Sequence, residues 1–337
     1  MADLRALVRV EIASSAGLNI ASGSYVEQTA FLRSLHIQRG RDDELTDVQP
    51  GRCSLDLLNT SGQFAPNATG TSALRPGLAV RLTGALAEGA DYGAALYGID
   101  CYGASGAYTP LWKGLIDTIN PTFRRDSPQA RIDCVDPLAW LALFRSTRTD
   151  SATGTGNMIA NALADAQFPG GASLQTTAEF GRDLSSGALG AKTYTWSSAE
   201  ILGGQIRTIV ESEGKGAMFF IAKNGRATFR DSSDRNEQTT NDNLAYLDET
   251  VAWDYREVQS LREIANIINV TDASSVVNTA ADSATSQLRY GPRELNISAP
   301  LRTGAQAIAL STAVLNSRKD PAERPILTLI NSTPALL

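Results

Sequence analysis

One histidine and three cysteines in 337 residues leave little from which a reactive centre could be built. His36 stands in Leu35-His36-Ile37, facing opposite to its neighbours, among Arg33, Gln38 and Arg39; that is the pattern of a structural or surface histidine. A Ser-His-Asp triad would have to use it, and no Gly-x-Ser-x-Gly elbow occurs. Cys53, Cys101 and Cys134 are odd in number and widely spaced, with no Cys-x-x-Cys, so no zinc site forms from sequence-near ligands. Cys53 and Cys134 lie in apolar runs, where a thiol acts as a small hydrophobe, and buried thiols fit assembly in a reducing cytoplasm. Gly154-Thr155-Gly156-Asn157 is half a phosphate loop, without the Gly-Lys-Ser/Thr ending or the third glycine of a dinucleotide loop. The acidic groups Asp42-Asp43-Glu44, Asp231 with Asp234, and Asn241-Asp242 lack the register of a calcium loop. No catalytic, cofactor or metal site is expected.

Long hydrophobic runs are also missing. The longest helical one, Ala307 to Leu315, is too short to span a bilayer, and Met1-Ala2-Asp3-Leu4-Arg5 lacks the apolar stretch of a signal peptide. Lysine is scarce, 5 against 25 arginines. Arginine suits flat, bidentate contacts at interfaces, although a high-GC genome produces the same bias. The net charge of −6 argues against a basic nucleic-acid footprint and is compatible with a passage through which phosphates slide.

What is present is an ordinary globular composition, 42% apolar and 20% charged, in a chain long enough for two or three modules. Residues 1–145 read as β. Leu7–Ile12, Phe31–Ile37, Cys53–Leu58, Leu78–Thr83, Leu111–Ile119 and Arg131–Val135 are strand-like, separated by turn signals at Pro50-Gly51, Ser61-Gly62 and Pro76-Gly77. Short strands with short turns predict a barrel or sandwich. Asp136-Pro137 then starts a short helix, with Asp as N-cap and Pro first. Gly84–Tyr108 is rich in Gly, Ala and Tyr. It reads either as an arm anchored by Tyr92, Tyr97, Tyr102 and Tyr108 or as an ordinary loop plus one strand.

The polar stretch Arg145–Ala152 reads as a linker into a second unit, 146–247. Gly156–Phe168 is an amphipathic helix through Met158, Ile159, Ala162, Leu163 and Ala166; Ser197–Glu213 is another, opened by a Ser197/Glu200 capping box. Two short strands around Asn224-Gly225 predict a type I′ hairpin, and Asp231–Asn243 a loop. In residues 248–337, Asn266–Thr271 favours a strand, Thr303–Asn316 an Ala-rich helix capped by Thr303, and Pro325–Ile330 a final strand. These strands are few for a closed core. Either the first unit completes this barrel or the protein continues beyond Leu337.

Order and spacing of short motifs resemble one family. A strand ends Arg39-Gly40-Arg41-Asp42-Asp43-Glu44-Leu45, followed by Pro50-Gly51 and Cys53-Ser54-Leu55-Asp56-Leu57-Leu58-Asn59. Arg75-Pro76-Gly77, Leu111-Trp112-Lys113-Gly114-Leu115-Ile116 and Ala130-Arg131-Ile132-Asp133-Cys134-Val135-Asp136-Pro137-Leu138 come next, and Ser286-Gln287-Leu288-Arg289-Tyr290-Gly291-Pro292-Arg293 much later. This is similar to the baseplate hub and minor tail proteins of siphophages. The resemblance implies a mainly β fold with an α+β insertion: tail-tube-like β-barrel modules at 1–145 and 248–337 around a small helix–helix–hairpin unit. It implies a homotrimer forming a pseudo-six-fold ring in the virion, at the tail tip or baseplate. Partners would be the distal tail, tail tube and tape measure proteins and other tail-tip proteins, with DNA passing through the lumen during genome ejection. The candidate subunit-interface residues are Arg39, Arg41, Asp42, Asp43 and Glu44 at the ribbon tip, with Tyr92, Tyr97, Tyr102 and Tyr108. A receptor- or carbohydrate-binding tail-tip module is the alternative, supported by the tyrosines; a peptidoglycan hydrolase is disfavoured by the missing chemistry.

Overall fold

In the computed structural model the alternating runs of the first unit become one antiparallel sheet. The structure describes residues 6–16, 24–40, 49–64, 74–86, 109–122, 128–168, 174, 180–196, 200–214, 216–231, 252–259, 264–321 and 323–329. The strands are β1 (Ala6–Ala16), β2 (Tyr25–Glu27), β3 (Leu32–Gly40), β4 (Gln49–Leu58), β5 (Leu78–Leu86), β6 (Thr109–Thr122) and β7 (Gln129–Val135). They form a seven-stranded sheet in the order β2-β1-β5-β6-β7-β4-β3.

Its two edges are neighbours in sequence. Only Gln28 and a 3-10 turn, Thr29–Phe31, separate β2 from β3. That segment spans at most about 18 Å, whereas seven strands laid flat would hold the edges about 29 Å apart. The sheet is therefore rolled, with its apolar face inward. Ile37, Cys53, Cys134 and Ile116 face one another in one row across four strands, and Leu35, Leu55, Ile132 and Ile119 in another. The Phe31 ring of the closing turn meets Phe64 edge-on at 5.4 Å. Outside, the same strands carry polar rows, Ser34–Asp56–Arg131 and His36–Ser54–Asp133. Pro50-Gly51 does not turn the chain but opens β4, a position where proline removes no needed donor.

Part of the barrel's outer face is covered. Ala13, Ala79 and Leu115 join the core of the middle unit, and Lys113 lies over the Phe180 ring at 4.7 Å. The middle unit comprises α1 (Pro137–Leu141), β8 (Arg148–Thr153), α2 (Thr155–Asp165), β9 (Arg182–Leu184), β10 (Lys192–Trp196), α3 (Leu202–Glu213), β11 (Met218–Ile221) and β12 (Ala227–Arg230). The expected α2 face is buried as read. The polar stretch after Arg145 is no linker: it forms β8, antiparallel to β10. Helix α3 begins later than expected, with Ile201 as N-cap, so Glu200 precedes the helix instead of closing a capping box; Ser197 lies outside the described residues.

The hairpin at Asn224-Gly225 is real, but its turn differs. Among the described residues only Ala152 and Ser275 outside glycine have positive φ, so Asn224 is not left-handed, while Gly225 has φ 83°. Gly225 N donates to Ala222 O at 2.8 Å and Ala222 N to Arg226 O at 2.8 Å. This is a three-residue loop with glycine at the bulge, not a two-residue type I′ turn. A β-carbon on Gly225 would also lie 2.9 Å from Lys113 Cδ and 3.0 Å from Phe180 Cδ1. Gly225→Ala should cost about 1–2 kcal/mol from the left-handed backbone alone, measured by urea denaturation; Asn224→Ala should cost less.

The third unit holds β13 (Ala252–Gln259) paired with β17 (Glu323–Leu329), and a sheet of β14 (Ile267–Thr271), β15 (Val277–Ala281) and β16 (Glu294–Ser298) in the order β15-β14-β16. Helix α4 (Ser286–Tyr290) is a single turn. Helix α5 (Gly304–Arg318) starts with Thr303 in a capping box with Gln306 and packs on β14 and β15.

Candidate assembly surface

The ribbon singled out in the sequence is the β3–β4 hairpin, at one edge of the rolled sheet. Its tip residues Arg41, Asp42, Asp43 and Glu44 lie outside the described residues, as do Tyr92, Tyr97, Tyr102 and Tyr108. Of the expected interface set, Arg39 is described. It is exposed overall, yet its stem lies across Gly51 at the ribbon's root. Partial burial lowers its pKa against the opposing pull of Asp136.

That root is organised by Asp136. Its carboxylate caps α1 through Leu138 N at 2.9 Å and also accepts Gly51 N at 2.6 Å. A β-carbon at Gly51 would sit 2.8 Å from Asp136 Oδ2 and 3.4 Å from Trp112 Nε1, so the strand needs glycine here. Burial raises the Asp136 pKa to about 7, outweighing the N–H groups of Gly51, Leu138 and Ala139 and the charge of Arg39. The Asp-Pro signal shows the cap in the sequence. It does not show the bond to Gly51, which depends on β4 pairing with β7.

The outer face beside the ribbon carries hydrogen bonds suited to water or a polar partner. Ser34 Oγ donates to Asp56 at 2.6 Å, Ser54 Oγ to Asp133 at 2.7 Å and Arg131 Nε to Asp133 at 3.1 Å. His36 is exposed opposite Ser54. Cys53 and Cys134 face each other inside the barrel as free thiols. Burial, with Asp133 adding to it, pushes Cys53 up to about 12, and burial pushes Cys134 well above the ordinary thiol value. Neither is a nucleophile at neutral pH. Among the described residues no three His, Cys, Asp or Glu converge as metal ligands, and no helix is long and apolar enough to cross a membrane.

The half phosphate loop is filled by the chain itself. Gly156 N donates to Ser186 O at 3.2 Å, and Thr155 Oγ1 donates to the buried Glu213, which also accepts Ala188 N at 3.1 Å and Leu189 N at 3.2 Å. From the third unit, Arg302 donates to the carbonyls of Ser212 and Glu213 at the end of α3. A second buried network escaped the sequence reading. Asp150, 2% exposed, accepts Arg148 Nε at 2.9 Å, Asn161 Nδ2 at 2.6 Å and Trp196 Nε1 at 2.8 Å. Its signal was the alternation Arg148-Thr149-Asp150-Ser151, a strand period in polar residues.

No protein-family model matches the chain, and no curated protein matches it in sequence. In fold it is similar to the tail protein from Neisseria meningitidis MC58, with a TM-score of 0.53 at 8% identity over 93% of this chain and 76% of that one. The 43 kDa tail protein of prophage MuSo2 from Shewanella oneidensis aligns with a TM-score of 0.49 at 12% identity, over 91% of this chain and 76% of that one. The prophage tail protein gp18 from Listeria monocytogenes EGD-e aligns with a TM-score of 0.49 at 10% identity, over 94% of this chain and 79% of that one. Over 93% of its length the chain thus shares the fold of the Neisseria tail protein, a mainly β fold of several sheets with helices between them.

Proposed function

We propose that this protein is a structural, non-enzymatic component of a phage tail, a hub ring of three chains at the tail tip or baseplate. The observation that carries this reading is the fold shared with the Neisseria tail protein over 93% of the chain. The three units, 1–145, 146–247 and 248–337, divide the work. The first and third contribute two modules per chain to a pseudo-six-fold ring, and the middle unit braces them. The rolled barrel supports this reading, because a ring wall needs a stiff module with a polar exterior and edge strands for neighbours. In the virion the ring joins the tail tube and distal tail protein to the tip, contacts the tape measure protein, and surrounds the path of DNA. The ribbon tip, Arg39 to Glu44, and Tyr92, Tyr97, Tyr102 and Tyr108 form the contacts between copies.

Negative-stain imaging of the purified chain tests the proposal. Particles with three-fold symmetry and a central hole are expected. A particle without three-fold symmetry at every concentration would overturn it.

A further inference from the structure

The β14–β15–β16 sheet has one edge that its sequence leaves unguarded. β15 pairs with β14 alone among the described residues. Val276 to Ala281 contains no charge and no proline, the devices that normally blunt an open edge. Val276 and Val277 are 54% and 57% exposed.

The ladder shows which groups point outward. Asp272 N bonds Val276 O, and Asp282 N bonds Asn266 O, each at 3.0 Å. Hydrogen-bonded pairs alternate in an antiparallel ladder, so residues 276, 278, 280 and 282 bond toward β14. Val277, Thr279 and Ala281 therefore direct their N–H and C=O groups to the open edge.

Helix α5 overhangs this edge. It carries no charged side chain from Gly304 to Ser317, and the face that it exposes is uncharged and mostly small, Ala305, Ile308, Ala309 and Ala313 with Thr312 and Asn316. Leu310 faces the end of α3, where its Cδ1 lies 3.0 Å from the position of a β-carbon on Gly214, and α3 packs beside β16. Ile308 and Thr312, two residues either side of Leu310, turn about 160° away from it. They face the β15 side, and Ile308 is 56% exposed.

We propose that a second copy of this chain docks here, β15 against β15 about a two-fold axis through Thr279. Val277 then faces Ala281 of the other copy and Thr279 faces its own equivalent, pairs without charge conflict. Both α5 helices fall on the same face of the joined sheet. Because α5 lies on β14 and β15, the two helices stand two strand spacings apart, about 9.6 Å. Packed helices lie about 8–10 Å apart. An unrelated strand would satisfy the edge but bring no helix to cover Ile308 and Thr312, which is why a second copy is the occupant.

This contact does not depend on the tail reading. It requires an even number of copies: two for a chain outside a ring, six for two rings joined. Mass photometry and sedimentation velocity of the full chain provide the test. An even-numbered particle is expected, halved in mass by Ile308→Glu, which sets like charges across the axis. Thr279→Pro, which removes an outward N–H without touching the β14 ladder, should halve it too. Circular dichroism monitors folding, and Ile308→Glu, at an exposed position, decides the matter if the proline variant unfolds. A wild type of one or three copies throughout, or an even-numbered particle untouched by a folded Ile308→Glu, overturns the proposal. Loss of three-fold symmetry alone would count against the ring and leave this contact standing.

Discussion

Replacing Asp150 by alanine is expected to destabilise the protein by about 3–5 kcal/mol, the range for breaking a buried ion pair by removing one partner. The loss exceeds that of one salt bridge because three donors converge on this carboxylate: Arg148 Nε, Asn161 Nδ2 and Trp196 Nε1. Arg148 is itself largely enclosed and spreads over Gln205 Oε1 at 2.7 Å and Met158 O at 3.2 Å, with its guanidinium 5.4 Å from the centre of the Trp196 ring. Without Asp150, Trp196 Nε1, on a ring 1% exposed, loses its acceptor where water does not reach it, and Arg148 keeps a largely enclosed charge, whereas the exposed Asn161 can turn to solvent. Asp165 provides the control. It is the guanidinium's other carboxylate partner, at 3.3 Å, and its side chain is 37% exposed. Asp165→Ala should cost about 1 kcal/mol or less. Urea denaturation of the two variants distinguishes them, and equal losses would refute the central place given to Asp150.

The second large effect is a stability that falls as pH rises. The Asp136 carboxyl is raised from 3.8 to about 7 in the folded state, chiefly by burial. Below pH 4 both folded and unfolded chains hold the proton, and this group's contribution is complete. Between 4 and 7 only the folded chain holds it, so stability declines with pH, and above 7 the decline levels off. At about 1.4 kcal/mol per pKa unit, the total is about 4 kcal/mol. Asp183, Asp272 and Asp282 act in the opposite sense, since their bonding partners lower them, so the whole-protein curve mixes both trends. Subtraction isolates Asp136. Asp136→Asn cannot ionise and keeps only one acceptor oxygen for the N–H groups of Gly51 and Leu138. It should be less stable than wild type at pH 4, with the gap shrinking as pH rises to about 7 and level above that. A gap independent of pH would show that Asp136 does not titrate in this window.

The barrel strands were readable because each has one buried and one wet face, which stamps a period of two on Leu7–Ile12 and Phe31–Ile37. Helix α2 was readable for the equivalent reason, one apolar stripe at helical spacing. Arg148–Thr153 was not, because its buried member is a carboxylate and its neighbours are threonines and serine; hydropathy alone sees a polar segment. Pro50-Gly51 misled in the other direction. The pair is a turn signal locally, but a distant carboxylate makes glycine necessary in a strand. The turn at Asn224-Gly225 was located correctly and typed wrongly, since the register of Ile221 with Ala227 decides the loop length. Of the expected interface, Arg39 alone is among the described residues, and its stem lies at the ribbon's root, against Gly51 and near Asp136.

Strand order in the barrel also sets a schedule for synthesis. The β3–β4 hairpin is made early, but β4 borders β7, and the bond tying Gly51 to Asp136 spans 85 residues. β1 likewise waits for β5. A nascent chain leaving the ribosome must therefore carry incomplete strands until Asp136 emerges, and contacts this distant in sequence form slowly. Along β3, Arg33, His36 and Gln38 are exposed, and polar side chains on a strand that must wait for its neighbours disfavour its association with other nascent chains.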